Sequence, residues 1–233
     1  MLPADSELCT PLHSAARRGE LPCIRLLLVH CRADELGRPS RTFATPLAVA
    51  IRRKHATLAL ALRHEYGAPL DAHAVLFCLT TQQRPLLEQL LQKPHAAAGE
   101  TISAGADGVD APAAGGVTAL HLAAEGPKEG DGEATVRQLL ELRAAVGLAD
   151  SDGHTALHRA AFHGSGRVVG LLVAAGASPD QQDHEGNTAL HHAGRGAQEF
   201  VFDVLELKHG ADPEVRNHAG ELPALQPEPC HVQ

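Results

Sequence analysis

The stretch Thr155-Ala156-Leu157-His158-Arg159-Ala160-Ala161 decides the fold, because versions of it occur five times along the chain. Thr118-Ala119-Leu120-His121-Leu122-Ala123-Ala124 and Thr188-Ala189-Leu190-His191-His192-Ala193-Gly194 are close copies. Looser ones are Thr10-Pro11-Leu12-His13-Ser14-Ala15-Ala16 and Thr45-Pro46-Leu47-Ala48-Val49-Ala50-Ile51. Their threonines are 35, 73, 37 and 33 residues apart, so the interval of 73 holds two periods. Self-similarity at such a period marks a stack of supersecondary units rather than one closed core.

Each copy reads as the start of a short helix. A threonine ahead of the first turn can accept from early backbone N–H groups, and a proline there loses no bond because its missing donor was unpaired anyway. Leu12, Leu120, Leu157 and Leu190 then point inward, and the small alanine pairs let a second helix approach. Gly19 and Gly164 end the first helix. Second helices are expected from Leu21 to Leu28, Thr57 to Leu62, Ala134 to Leu142, Arg167 to Val173 and Glu199 to Leu205. Their apolar positions fall three and four apart, as at Val168, Leu171 and Leu172. Gly67, Gly176 and Gly210 sit where those helices stop. The polar link Asp183-His184-Glu185-Gly186-Asn187 reads as a turn projecting from the helix pair, with Gly153 and Gly220 in the place of Gly186.

On these motifs the chain resembles the ankyrin repeat family. The resemblance implies an all-α fold, an ankyrin-repeat α-solenoid of about five to six helix-turn-helix units with projecting turns. It also implies that His13, His121, His158 and His191 hydrogen-bond between neighbouring units. The missing unit of the long interval is read at Ala74 to Leu79 and Pro85 to Leu91, with His73 level with the threonines, 28 residues after Thr45. The expected organisation is N-terminal repeats over 1–93, a disordered Ala/Gly-rich insertion over 94–116, C-terminal repeats and a truncated cap over 117–225, and a tail over 226–233. The insertion has almost no large apolar side chain to offset its ordering entropy. A smaller excursion is expected at Pro127 to Glu133. Arg32 and Arg143 stand where glycine would usually end a second helix.

Composition removes other classes. The chain has 233 residues, 20 basic against 28 acidic, and a net charge of −8. A hydrophobic share of 44% excludes wholesale disorder, while 3% aromatics without tryptophan argues against a β-sandwich or an aromatic RNA platform. No apolar run approaches the ~20 residues that cross a bilayer. Met1 to Glu7 lacks the basic-then-apolar pattern of a secretory signal, so none is expected. The five cysteines are odd in number and none are spaced as a zinc or redox pair, which fits a reducing intracellular compartment, cytoplasm or nucleus.

Sixteen histidines raise the question of a metal. Consecutive units stack about 8–10 Å apart, whereas ligand nitrogens on one zinc lie within about 4 Å of each other. Repeat-equivalent histidines therefore cannot share an ion, and His158, His163, His191 and His192 form only a weak alternative; no metal and no cofactor is expected. Gly164-Ser165-Gly166-Arg167-Val168-Val169-Gly170 superficially matches a dinucleotide fingerprint but sits in an inter-helix turn, and no Gly-Lys pair exists for a P-loop. Ser165 and Cys23 have no recognisable base and orienting partner. An enzyme is not expected.

Charge gives the functional hint. Residues 1–70 carry 10 basic and 6 acidic groups, and residues 71–233 carry 10 and 22. Arg17 and Arg18 align with Arg52 and Arg53, so the four should form a basic ladder on stacked first helices. The expected function is a non-catalytic protein-interaction module or scaffold that binds its partner on the concave surface, with an acidic or phosphorylated segment across the first two repeats. Candidate contacts are Arg17, Arg18, Arg52, Arg53, Arg159, Phe162, His163, His192 and Arg195, with turn-tip residues such as Asp150 and Asp183 beside them. Phe162 is the expected hot spot, an aromatic where the pattern needs none. Nucleic acid and membrane are not expected as partners, and the chain is expected to be monomeric. The alternative is a substrate adaptor of a larger complex such as a ubiquitin ligase.

Overall fold

The computed structural model describes residues 10–30, 36, 37, 39, 45–92, 108–126 and 132–225. The chain forms two compact units, Met1–Ala114 and Gly115–Gln233. Among the described residues the regular elements are helical, with one isolated bridge between Ala149 and Thr155. None of these helices is long and apolar enough to cross a membrane.

The first unit holds α1 (Pro11–Arg18), α2 (Leu21–His30), α3 (Pro46–Arg52), α4 (Ala56–His64), α5 (Ala72–Thr80) and α6 (Arg84–Leu91). The second holds α7 (Ala119–Ala124), α8 (Gly132–Glu141), α9 (Ala156–Phe162), α10 (Gly166–Ala174), α11 (Ala189–Arg195) and α12 (Glu199–Asp203), the last continuing as a π-helical turn over Val204–Lys208. Within each unit, every first helix packs on its own second helix and on the first helix of the next pair. Leu12, Leu47 and Ile51 in one unit, and Leu120, Leu157 and Leu190 in the other, are buried between the layers. The five leucines are those of the repeated heptapeptide, and Ile51 is the last residue of its second copy.

The caps explain the threonine and histidine. The Thr45 hydroxyl accepts from the Ala48 N–H at 3.3 Å. At Thr10, Thr118, Thr155 and Thr188 the backbone N–H donates to Nδ1 of the histidine three residues on, at 3.0–3.3 Å. Because Nδ1 accepts, the proton sits on Nε2, which donates across to the next unit: His121 to the His154 carbonyl at 2.9 Å, His158 to Gln181 at 2.9 Å and His191 to Glu221 at 3.1 Å. The expected inter-repeat role of these imidazoles holds at His121, His158 and His191.

The turn inside each helix pair needs one residue in the left-handed region. Gly19 and Gly164 supply it at φ 78°, but Lys54, Gln82 and Ala197 take the same place at 64°, 57° and 52°. Counted back from that turn, His73 stands level with Thr45, as read from sequence. The helix nevertheless begins two residues earlier, because Asp71 is the cap and its carboxylate accepts from the Ala74 N–H at 2.9 Å. Arg143 itself adopts φ 61° where a glycine was missing; Arg32 lies outside the described residues.

Projecting turns are stapled in a common way. Asp150 Oδ1 accepts from the Asp152 and His154 amides, Asp183 Oδ1 from Glu185 and Asn187, and Asn217 Oδ1 from Ala219 and Glu221. Neighbouring turns are then joined by one backbone bond each: Ser151 N–H to Gly115, His184 N–H to Asp152 and His218 N–H to Glu185, at 2.8, 3.1 and 2.9 Å. Gly153, at φ 84°, lies under the second of these bonds; a Cβ there would stand 2.6 Å from the His184 nitrogen.

Of the stretch 94–116 expected to be a disordered insertion, 94–107 lie outside the described residues, while 108–116 are ordered. Residues 108–116 make a turn in which Ala111 is buried and a short 3-10 segment at Ala114–Gly116. Its end is the projecting turn ahead of α7, with Ala113 where the later turns carry Asp or Asn. Of the Pro127–Glu133 excursion, 127–131 lie outside the described residues, and Gly132 and Glu133 open α8. After Gly220 the described chain continues without a helix through 225.

Candidate interaction surface and the histidine–aspartate cluster

In the first unit, Arg17 and Arg18 close α1, Arg52 closes α3 and Arg53 caps it; all four are exposed on neighbouring helices. The Arg52 guanidinium lies 5.6 Å from the centroid of the Phe77 ring on α5. His55 Nε2 reaches the Arg17 carbonyl at 3.3 Å and so ties the second pair to the end of α1. Arg17, Arg18 and Arg53 form no salt bridge with a described residue.

In the second unit, Arg159, Phe162, His163, His192 and Arg195 come together around one hollow of about 310 Å³, with His154, His158 and Glu185 completing the wall. Phe162 is 44% exposed, its ring 5.3 Å from that of His163, which leaves a face for a partner. Two expected contact residues are committed internally. Arg159 is half-buried and pairs with Glu125 and, at 2.6 Å, with Asp150. His192 is buried rather than exposed, and its Nε2 lies 2.8 Å from Asp183 Oδ2. Asp150 and Asp183, expected at exposed tips, are buried because their carboxylates staple the turns. Arg195 remains exposed, 3.4 Å from Glu185.

The polar groups beneath the hollow are tightly arranged. His154 directs Nδ1 at Asp150 Oδ2 (3.6 Å) and Nε2 at Asp183 Oδ2 (3.4 Å). Its ring meets that of His192 edge-on at 4.9 Å, and His192 meets His158 at 5.2 Å. Burial pushes the Asp183 carboxyl up, but hydrogen bonds from His192, Asn187 and the Glu185 amide outweigh it and bring it down to about 2. Burial holds His158 down at about 4, with neighbouring His192 acting the same way. His192 is also lowered by burial, against the pull of Asp183. Near neutrality Asp183 is thus ionised, with His158 and His192 neutral beside it.

Sequence reading did not find this cluster. It compared equivalent positions of successive repeats, which stay apart, whereas His154 on one turn and His192 on the following first helix are non-equivalent and meet across the stack.

Profiles of the ankyrin repeat match residues 7–37, and profiles of ankyrin repeats in three copies match residues 75–183 and 120–217. The chain is similar to human Ankyrin repeat and SOCS box protein 16, 30% identical over 228 residues, covering 91% of this chain and 48% of that protein. The mouse protein of that name is 37% identical over 123 residues, 46% of this chain and 27% of its own length. Serine/threonine-protein kinase 12 of Arabidopsis thaliana is 32% identical over 121 residues, 51% of this chain and 25% of the kinase. The chain therefore spans about half or less of these relatives. With helix pairs, stapled turns and bridging histidines in register with profiles over most of its length, the chain belongs to the ankyrin repeat family, whose repeats are protein-interaction modules.

Proposed function

We propose that the protein is a non-catalytic recognition module that takes an acidic or phosphorylated segment of a protein partner across α1 and α3. The carrying observation is the arginine ladder: four exposed guanidinium groups on adjacent helices, three of them without a salt bridge to any described residue. The contrast with the second unit supports this reading, since Arg159 and Arg195 already face carboxylates there. Guanidinium forks suit carboxylate and phosphate oxygens in bidentate geometry. Within the second unit, Phe162 would be a separate apolar anchor for a protein partner. Reversing Arg17 and Arg52 to glutamate together should remove acidic partners recovered by affinity capture; unchanged recovery refutes the assignment.

A second reading, substrate adaptor of a larger complex such as a ubiquitin ligase, is favoured by one observation, the similarity to a protein whose name includes a SOCS box. Ligase components among the captured proteins would support it.

A further inference from the structure

We propose that His154, Asp183 and His192 form a binding site for a divalent transition-metal ion of the zinc type. One ligand atom from each of the three residues lies within 4.8 Å of the other two. Asp183 Oδ2 is 2.8 Å from His192 and 3.4 Å from His154. Around a tetrahedral zinc, with ligands at ~2.0–2.2 Å, neighbouring donor atoms stand roughly 3.3–3.5 Å apart. One contact already has that spacing, and the other needs to open by about half an ångström.

Two further features suit a metal ion. His154 faces a carboxylate oxygen with each ring nitrogen, Asp150 on one side and Asp183 on the other. An ion held by His154 Nε2 and Asp183 Oδ2 would leave Nδ1–H to Asp150, the carboxylate–histidine–metal arrangement that orients ligands in zinc sites. Asp183 is correspondingly prepared: Oδ1 is held by two backbone amides, and Oδ2 faces both imidazoles while accepting from the Asn187 side-chain amide at 3.3 Å. His158 is not a ligand, because its Nε2 is engaged by the Gln181 and Asn187 carbonyls. Both ligand imidazoles line the hollow, which gives the ion a route in and room for a water or a partner's side chain. Asp150 is neutralised by Arg159, and Glu185 lies opposite Arg195, so the ion meets little uncompensated positive charge.

The repeats supply conservative tests. Asn187 occupies the place of His154 in the next turn, and Arg159 occupies the place of His192 while pairing with its own turn aspartate. His154→Asn and His192→Arg should therefore keep the fold. Zinc chloride is titrated calorimetrically into chelator-treated full-length chain, with cobalt(II) visible absorption as a second readout. One saturable site is expected, weakened at least about 10-fold by either variant, the range seen when metal-site residues are lost. His64→Asn, at the exposed last residue of α4, should leave it unchanged. Binding that survives both variants, or no saturable site below about 100 µM, overturns the proposal, and circular dichroism melting checks that the variants fold.

Discussion

Replacing Gly153 with alanine tests whether the projecting turns are stacked as closely as the structure has them. Gly153 holds φ 84°, and a Cβ there would meet the His184 nitrogen at 2.6 Å. Relief to an ordinary contact of 3.4 Å means a shift of about 0.8 Å. That shift carries the His184 N–H to Asp152 bond, now 3.1 Å, beyond bonding distance. The left-handed conformation costs an L-residue about 1–2 kcal/mol and the lost bond about 0.5–1.5 kcal/mol. The expected total is roughly 2–3 kcal/mol. Gly210, at φ 67° with nothing within 4 Å of its Cβ, is the control and should show the backbone cost alone. With no tryptophan and one tyrosine, unfolding in urea is best followed by far-ultraviolet circular dichroism. Equal losses for Gly153→Ala and Gly210→Ala would refute the close approach.

Ala197→Gly should stabilise by about 0.5 kcal/mol, since Ala197 bears the left-handed cost at φ 52° and glycine's own entropy offsets part of the relief; a lower urea midpoint contradicts this. Leu157→Ala, at a side chain 1% exposed between α9 and its neighbours, should cost about 2–5 kcal/mol, and a loss below 1 kcal/mol would argue against the packed layer. Burial pushes the Cys78 thiol up to about 12 from an ordinary 9.0. The native state then keeps a proton that the unfolded chain loses, so this contribution is full below pH 9 and declines as pH rises toward 12. At pH 10.5 the wild type should have lost about 2 kcal/mol more than Cys78→Ala has, relative to pH 8.5; parallel alkaline profiles refute it.

Much of the helical layout was legible because the signals are local. Threonine, leucine and alanine at fixed offsets specify a capped helix with one buried stripe, and Leu12, Leu120, Leu157 and Leu190 all face inward. The degenerate third unit was legible from its leucines alone. What escaped were features set by neighbours. Asp71 caps α5 two residues early, which an alignment on threonine positions could not foresee. Lys54, Gln82 and Ala197 fill a left-handed position that a search for glycine passes over. Asp150 and Asp183 looked like exposed tips, yet their carboxylates serve their own turns' amides. The meeting of His154 with His192 depends on the offset between a turn and the next helix, which appears only once the repeats are stacked.

The most direct test of that stacking is amide hydrogen exchange at Ser151, His184 and His218. Their residues are exposed, and each N–H is shielded only by a carbonyl of the preceding turn. Protection well above that of an unstructured chain at all three is the predicted result. Exchange at open-chain rates would mean that neighbouring turns are not joined, and the account of how the repeats hold together would be wrong.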